Sequence, residues 1–257
     1  MKAVLTLAVL SLLLFGAFPA VALEGEVLYG QALSASREGD FVRALPLWNS
    51  VLEVLPEDPA ALSNRGNVRL ALGDATGAID DQSRAIALAP EEADPHLNRG
   101  TAEEALQDWS AAAADYLWIL DRDPKEASAL YNLGNVRGSE GDWAEARSLY
   151  GRASEARPGF AMARSSEALA AWQEGDQVWA EEELRKLIRR YPLFADARAA
   201  LSALLWQRGA SGEAESHWAA ASGLDNRYRV GGWRLQSRRS PPVPTADLMA
   251  FLALDSR

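Results

Sequence analysis

Three asparagines recur at a fixed interval: Asn64, Asn98 and Asn132 stand 34 residues apart. An amide side chain carries a donor and an acceptor together. A regular row of amides can therefore pair with the backbone of an extended peptide, whatever that peptide's side chains are. Three residues after each stand Asn67, Thr101 and Asn135, polar again at one phase, and Tyr131 precedes the third amide directly. Trp172 and Trp206 follow, also 34 apart. Tryptophan is enriched where proteins grip partners and also fills cores, so for these two both binding and packing stand open. The chemistry all of these offer is noncovalent.

Bond-making chemistry has little to work with. The chain has no Cys, hence no disulfide framework, thiolate metal site or cysteine nucleophile. It has two histidines, His96 and His217. No Gly-rich phosphate loop, Gly-x-Ser-x-Gly elbow or His-Glu-x-x-His helix is present, and nothing sets a nucleophile against a base. The run Glu181-Glu182-Glu183 reads as a solvated helix face. The expectation is a chain with no catalytic residue, no metal site and no cofactor. A formal charge of −10 argues against nucleic acid as a partner, because phosphate backbones select a basic surface.

The elements that must position these side chains follow from the same interval. Pro56, Pro90, Pro124, Pro158 and Pro192 are each 34 residues apart. They divide the chain into blocks 25–58, 59–92, 93–126, 127–160 and 161–194, with a degenerate sixth, 195–228, where Asn226 replaces the proline. Position eight is small in every block (Ala32, Gly66, Gly100, Gly134, Ala168, Ser202), and position twenty is always Ala (Ala44, Ala78, Ala112, Ala146, Ala180, Ala214). Two antiparallel helices approach closely only where both carry small side chains, and these positions supply that crossing. Position fifteen is Gly in every block except the third, where Gln107 stands; Gly there ends the first helix at positive φ. Position twenty-four (Trp48, Gln82, Tyr116, Tyr150, Leu184, Trp218) fills the space beside the small residues, and the proline at thirty-two stops the second helix. Asp58-Pro59 and Asp94-Pro95 each read as an N-cap acid before a proline at the first helical position.

Stretches such as SNRGNVRLALGDATGAIDD, LNRGTAEEALQDWSAAAADY and YNLGNVRGSEGDWAEARSLY, in one register over residues 25 to 228, resemble the tetratricopeptide repeat. The resemblance implies an all-α, right-handed superhelix of stacked helix pairs. It also implies that positions two, five, six, nine, twelve and thirteen face a concave groove. Asn64, Asn67, Asn98, Thr101, Tyr131, Asn132, Asn135, Trp172 and Trp206 then become candidate groove residues for an extended protein segment. Asn at position six can instead tie neighbouring repeats together. No Lys or Arg occupies positions two, five or six, which argues against a clamp for a C-terminal carboxylate. Glu26, Asp94 and Glu104 favour a neutral or basic segment. The function expected is a noncatalytic scaffold or adaptor. The alternatives are an envelope assembly factor, or a structural subunit contacted through the convex face.

Positions seven and twenty-three covary. Block two has Arg65 and Asp81, block three Arg99 and Asp115, block four Leu133 and Leu149. Charge accompanies charge and apolar accompanies apolar, so the two sites should face each other with a structural role. Glu167 and Glu183 in block five break the pattern.

The ends differ from the middle. Met1 and Lys2, an apolar run over residues 3–15, and Ala20-Val21-Ala22 read as a secretory signal cut after Ala22, with an uncleaved membrane anchor as the alternative. Residues 229–257 hold an Arg-rich stretch around Trp233, three prolines, and a short helix with Leu248, Phe251 and Leu252 on one face. This end is expected to cap the last block. A second reading is a detachable segment for a partner or for the protein's own groove. Contact with a membrane would come only through an uncleaved anchor or the Arg-rich stretch. Segments HLNRGTAEEAL, ALYNLGNVRGSEGDW and RRSPPVPT are similar to exported repeat proteins of cyanobacteria and the plastid thylakoid lumen. That likeness implies the periplasm or lumen, and a role in assembling photosynthetic complexes.

Overall fold

The structure is a computed structural model and describes residues 25–229 and 241–255. The expected leader (1–22) and Trp233 lie outside the described residues. Residues 25–37 form α1. Then follow α2 (Phe41–Val54), α3 (Pro59–Ala71), α4 (Ala75–Leu88), α5 (Ala93–Ala105), α6 (Trp109–Arg122), α7 (Ala127–Glu140) and α8 (Trp143–Ala156). After them come α9 (Ala161–Gln173), α10 (Gln177–Arg190), α11 (Ala195–Gln207), α12 (Ser211–Leu224), a 3-10 turn (Asn226–Arg229) and α13 (Pro242–Asp255). No strand occurs among the described residues. None of the described helices is long and apolar enough to cross a membrane.

Each block is one helix pair. The turn between the two helices is set by position fifteen: Gly39, Gly73, Gly141, Gly175 and Gly209 all have φ between 76° and 92°, and Gln107 adopts 61° in the third block. Gln107 thus takes up the left-handed conformation that its neighbours leave to glycine, at the steric cost of its Cβ. The next residue starts the second helix. Asp40, Asp74, Asp108, Asp142 and Asp176 each accept from the backbone N–H three residues on, satisfying one free donor of the helix end. In block six Ala210 stands there and gives no such bond. The second helices of blocks one to five end two residues before their prolines, as the spacing predicts. One expected start is corrected. Asp58 caps α3 by accepting from Ala61 N at 2.7 Å, but α5 begins at Ala93, so Asp94 lies inside its first turn instead of capping it.

The chain divides into two compact units, and the division falls inside α6, between Asp115 and Tyr116. In the first unit α2 packs on α3, α3 on α4 and α4 on α5, with the first helices α3 and α5 also touching. In the second, α7 to α12 pack consecutively in the order α7–α8–α9–α10–α11–α12, and α9 touches α11. The small positions do what their size allows. A Cβ on Gly134 would lie 2.7 Å from the Tyr150 ring, and one on Gly66 would lie 2.8 Å from Gln82 Nε2 and 3.3 Å from the Ala78 carbonyl oxygen. Position eight therefore meets both twenty and twenty-four of its own block. Every residue at position twenty-four is buried.

Positions seven and twenty-three meet. Arg65 donates to both oxygens of Asp81 at 2.6 and 2.8 Å, and Arg99 to both of Asp115 at 2.8 Å. Each arginine also reaches back to the preceding second helix, to Asn49 Oδ1 at 3.1 Å or Ser83 Oγ at 3.2 Å. The pairs therefore tie helices within and between blocks. In block four Leu133 and Leu149 are both buried. Block five is resolved by a third residue. Arg164, at position four, donates to Glu167 at 2.8 Å and lies 4.0 Å from Glu183, which also takes Lys186 at 2.6 Å. Position four acts likewise in block three, where His96 is buried with Nδ1 2.7 Å from Asp115.

Candidate functional site

Position six lies on the first helix of each pair. In the first unit Asn64 Nδ2 donates to the Ala60 carbonyl at 2.9 Å, and Asn98 Nδ2 donates to Ser63 Oγ of the preceding block at 3.2 Å. Both amides are half-buried. Each donates an N–H to the protein, and Asn98 makes no further hydrogen bond to a described residue. Tyr29, at position five of block one, lies within hydrogen-bonding reach of Asn64; burial and then the nearby Asp58 carboxylate raise its pKa. In the second unit Asn132 is also half-buried, with no hydrogen bond to a described residue.

Position nine behaves differently. Asn67 Oδ1 accepts from Gln82 Nε2 at 3.1 Å, and Gln82 also donates to the Ser63 carbonyl at 2.9 Å. Asn135 Oδ1 accepts from the Tyr150 hydroxyl at 3.0 Å. Both asparagines therefore accept from the donor at the tip of position twenty-four in their own block, while Gln82 Oε1 is buried without a donor. Burial pushes the Tyr150 hydroxyl well above the usual tyrosine pKa, so it stays a donor. Thr101 is exposed and turns back onto the Leu97 carbonyl at 2.9 Å. Tyr131 is half-buried, with ring centroids 5.5 Å from Tyr150 and 5.1 Å from Phe160.

The two tryptophans lie elsewhere. Trp172 is 1% exposed and sits in the core of the second unit. Trp206 is half-buried beneath α13, 5.7 Å from Phe251. Of the acids expected to set the ligand's charge, Glu26 and Asp94 are exposed, whereas Glu104 is buried. His217 is half-buried beside Glu213, and burial lowers its pKa.

Two features lay outside the sequence expectations. The pairing of nine with twenty-four had a signal: polar residues at nine (Asn67, Asn135) accompany polar tips at twenty-four (Gln82, Tyr150), and Leu33 and Leu169 accompany Trp48 and Leu184. The other is a cleft of about 370 Å³ lined mostly by α8, α10 and the turns that follow them. It is walled by Pro158, Phe160, Leu187 and Tyr191 and rimmed by Lys186 and Arg190. Phe160 and Tyr191 come from turns between helices, whose packing no helical period announces.

Residues 29–93, 97–137 and 134–178 match a family model described as tetratricopeptide repeat. Over 72 residues the chain is 39% identical to tetratricopeptide repeat protein 36 of Bos taurus, covering 28% of this chain and 38% of that protein. The chain thus spans well under half the length of the curated relatives it matches. A solved structure of Pseudomonas aeruginosa pilF superposes with a TM-score of 0.67 at 16% identity, over 80% of this chain and 94% of that one. A tetratricopeptide repeat protein from Parabacteroides merdae superposes with a TM-score of 0.63 at 17% identity, over 89% and 98%. At such identities the likeness is one of fold.

Proposed function

The chain belongs to the tetratricopeptide repeat family, and from that membership we propose that it is a noncatalytic scaffold whose first helices hold an extended segment of a partner protein. The observation that carries this reading is the state of the position-six amides. Asn98 is fixed by one N–H to Ser63 and keeps its carbonyl oxygen for a ligand's backbone N–H, and Asn64 is held by Ala60 with the Tyr29 hydroxyl beside it. A side chain held by one bond and open at the other end is oriented before binding, which lowers the entropy lost on association. The Asn98 bond also ties block three to block two, so at that residue stacking and binding share one side chain. Exposed Glu26 and Asp94 favour a neutral or basic segment.

The leader-like residues 1–22 and the likeness of the quoted segments to exported lumenal and periplasmic repeat proteins support a place outside the cytoplasm. Assembly or maintenance of photosynthetic complexes is the setting we propose there. A second reading, a structural subunit contacted through its second helices, is favoured by the cleft of Phe160, Leu187 and Tyr191, lined mostly by α8, α10 and the turns after them.

The test is a cross-linked pull-down from the native host with residues 23–257, beside an Asn64→Ala/Asn98→Ala/Asn132→Ala variant of matched helicity by circular dichroism. Partners lost only in the variant are expected, and their cross-linked segments should be extended and neutral or basic. Partners held equally by both chains overturn the groove reading. Cross-links at Tyr191 or Arg190 would then favour the second.

A further inference from the structure

The C-terminal helix does not rest on the last block alone. α13 lies against α11 and also against α9, the first helices of blocks six and five. Its first turn is tied to α9 by Val243 N, which donates to Gln173 Oε1 at 2.7 Å. Pro244, Leu248 and Phe251 are buried. Phe251 stands 5.7 Å from Trp206 and 5.8 Å from Trp218, centroid to centroid. The seat is thus an apolar face with aromatic walls, filled by a helix that offers few anchors.

That filling is chemically imperfect. Residues 244, 247, 248 and 251 fall on one stripe of a helix, and the second of them is an acid. Oδ2 of Asp247 is buried and accepts no hydrogen bond. Trp172 on α9 belongs to the same cluster as Leu248 and Phe251. Its Nε1–H is likewise buried and finds no acceptor. The seam of α13 therefore contains an acceptor without a donor, and the core it joins contains a donor without an acceptor. The orphan acceptor of Asp247 is expected to weaken the seating by roughly tenfold. A surface built only to be capped has no need of an acid in its seam.

We propose that the face of α9 and α11 beneath α13 is an exchangeable helix-binding site, and that α13 is its intramolecular stand-in. The partner that fits is an amphipathic helix. It carries apolar residues at the spacing of Pro244, Leu248 and Phe251, and a neutral hydrogen-bonding residue in the place of Asp247. Such a residue avoids leaving a carboxylate oxygen buried without a donor. This site takes a helix and uses neither Asn64 nor Asn98, so its success or failure is independent of the peptide-groove reading.

The probe is a fluorescein-labelled peptide of residues 241–255 carrying Asp247→Asn, added to the full chain. The expected result has three parts. Backbone amides of α13 exchange hydrogen well ahead of those of α11 in the free chain. The peptide binds a Leu248→Ala/Phe251→Ala chain roughly tenfold more tightly than the wild type, because the stand-in is weakened while the seat is intact. Asp247→Asn in the chain itself slows α13 exchange and weakens peptide binding by roughly tenfold. Exchange of α13 in step with α11, or no peptide binding to the double variant at millimolar concentration, would make α13 a permanent cap and overturn the proposal. If the double variant loses helicity, the Asp247→Asn chain decides alone, and unchanged α13 exchange overturns it.

Discussion

The hydroxyl of Tyr150 donates to Oδ1 of Asn135 at 3.0 Å, and two blocks earlier Gln82 makes the equivalent bond to Asn67 at 3.1 Å. In both blocks the residue that fills the helix crossing is polar at its tip, and position nine supplies the acceptor. The bond lets a large side chain sit against Gly134 or Gly66 without burying an unmet donor. It also commits the two position-nine amides to the fold.

Tyr150→Phe removes the donor and keeps the ring. It should cost about 1 kcal/mol in urea unfolding, with the slope unchanged. Tyr150→Ala should cost about 3–5 kcal/mol, because the ring fills the space over Gly134. A loss for the phenylalanine variant as large as that for alanine would show that the hydroxyl, and not the ring, carries the packing.

Arg65 and Asp81 are sealed together, with side chains 13% and 2% exposed. Asp81→Leu leaves Arg65 facing an apolar group and should cost about 3–5 kcal/mol. Adding Arg65→Leu should recover part of that loss, since Leu133 and Leu149 show the same two positions filled by leucines in block four. Thermal or urea unfolding of the two singles and the double closes the cycle. A double variant as unstable as the sum of the singles would contradict it.

Glu103 gives the stability of the first unit a dependence on pH. Its Oε2 is buried without a donor, and the nearest cation found for it is Arg99 at 3.8 Å. Burial and then the Asp115 charge push its pKa up to about 7. An acid whose pKa is raised in the folded state stabilises most below its unfolded pKa. That contribution is lost as pH rises from about 4.5 to about 7. Glu103→Gln should therefore match the wild type near pH 4.5 and exceed it at pH 8 by about 1 kcal/mol, after allowance for solvent screening. Melting curves of both chains across that range check the sign; a gap that narrows with rising pH would reverse it.

Much of this arrangement was legible because a repeat samples each position several times. Small residues at eight and twenty, and proline at thirty-two, report backbone requirements that any block must meet. Arg65 with Asp81 and Arg99 with Asp115 were readable for the same reason. Glu167 with Glu183 was not, because its answer lies at position four, in Arg164, where blocks one, two and four hold leucine, block three His96 and block six Arg198. The candidate site was harder. Its residues sit on the first helices of their blocks, but an amide's acceptor can serve the fold or a ligand, and only geometry separates Asn67 from Asn98. Trp172 and Trp206 share a register position, yet one is sealed in a core and the other lies beneath α13, which stands outside the period.

Gln107 tests how strictly the period acts on the backbone. It is the non-glycine residue with positive φ among the described residues, at 61°, and its five counterparts are glycines between 76° and 92°. A side chain in that region costs about 1–2 kcal/mol, while glycine raises the entropy of the unfolded chain by a smaller amount. Gln107→Gly should thus stabilise the first unit by about 0.5–1 kcal/mol. Gly73→Gln, the reverse exchange one block earlier, should destabilise it by a similar amount, since open space and not a neighbour surrounds that Cβ position. Urea midpoints of the two variants measure both. If Gln107→Gly destabilises, the glutamine side chain contributes contacts that outweigh its backbone strain, and the turn of block three departs from the rule its neighbours follow.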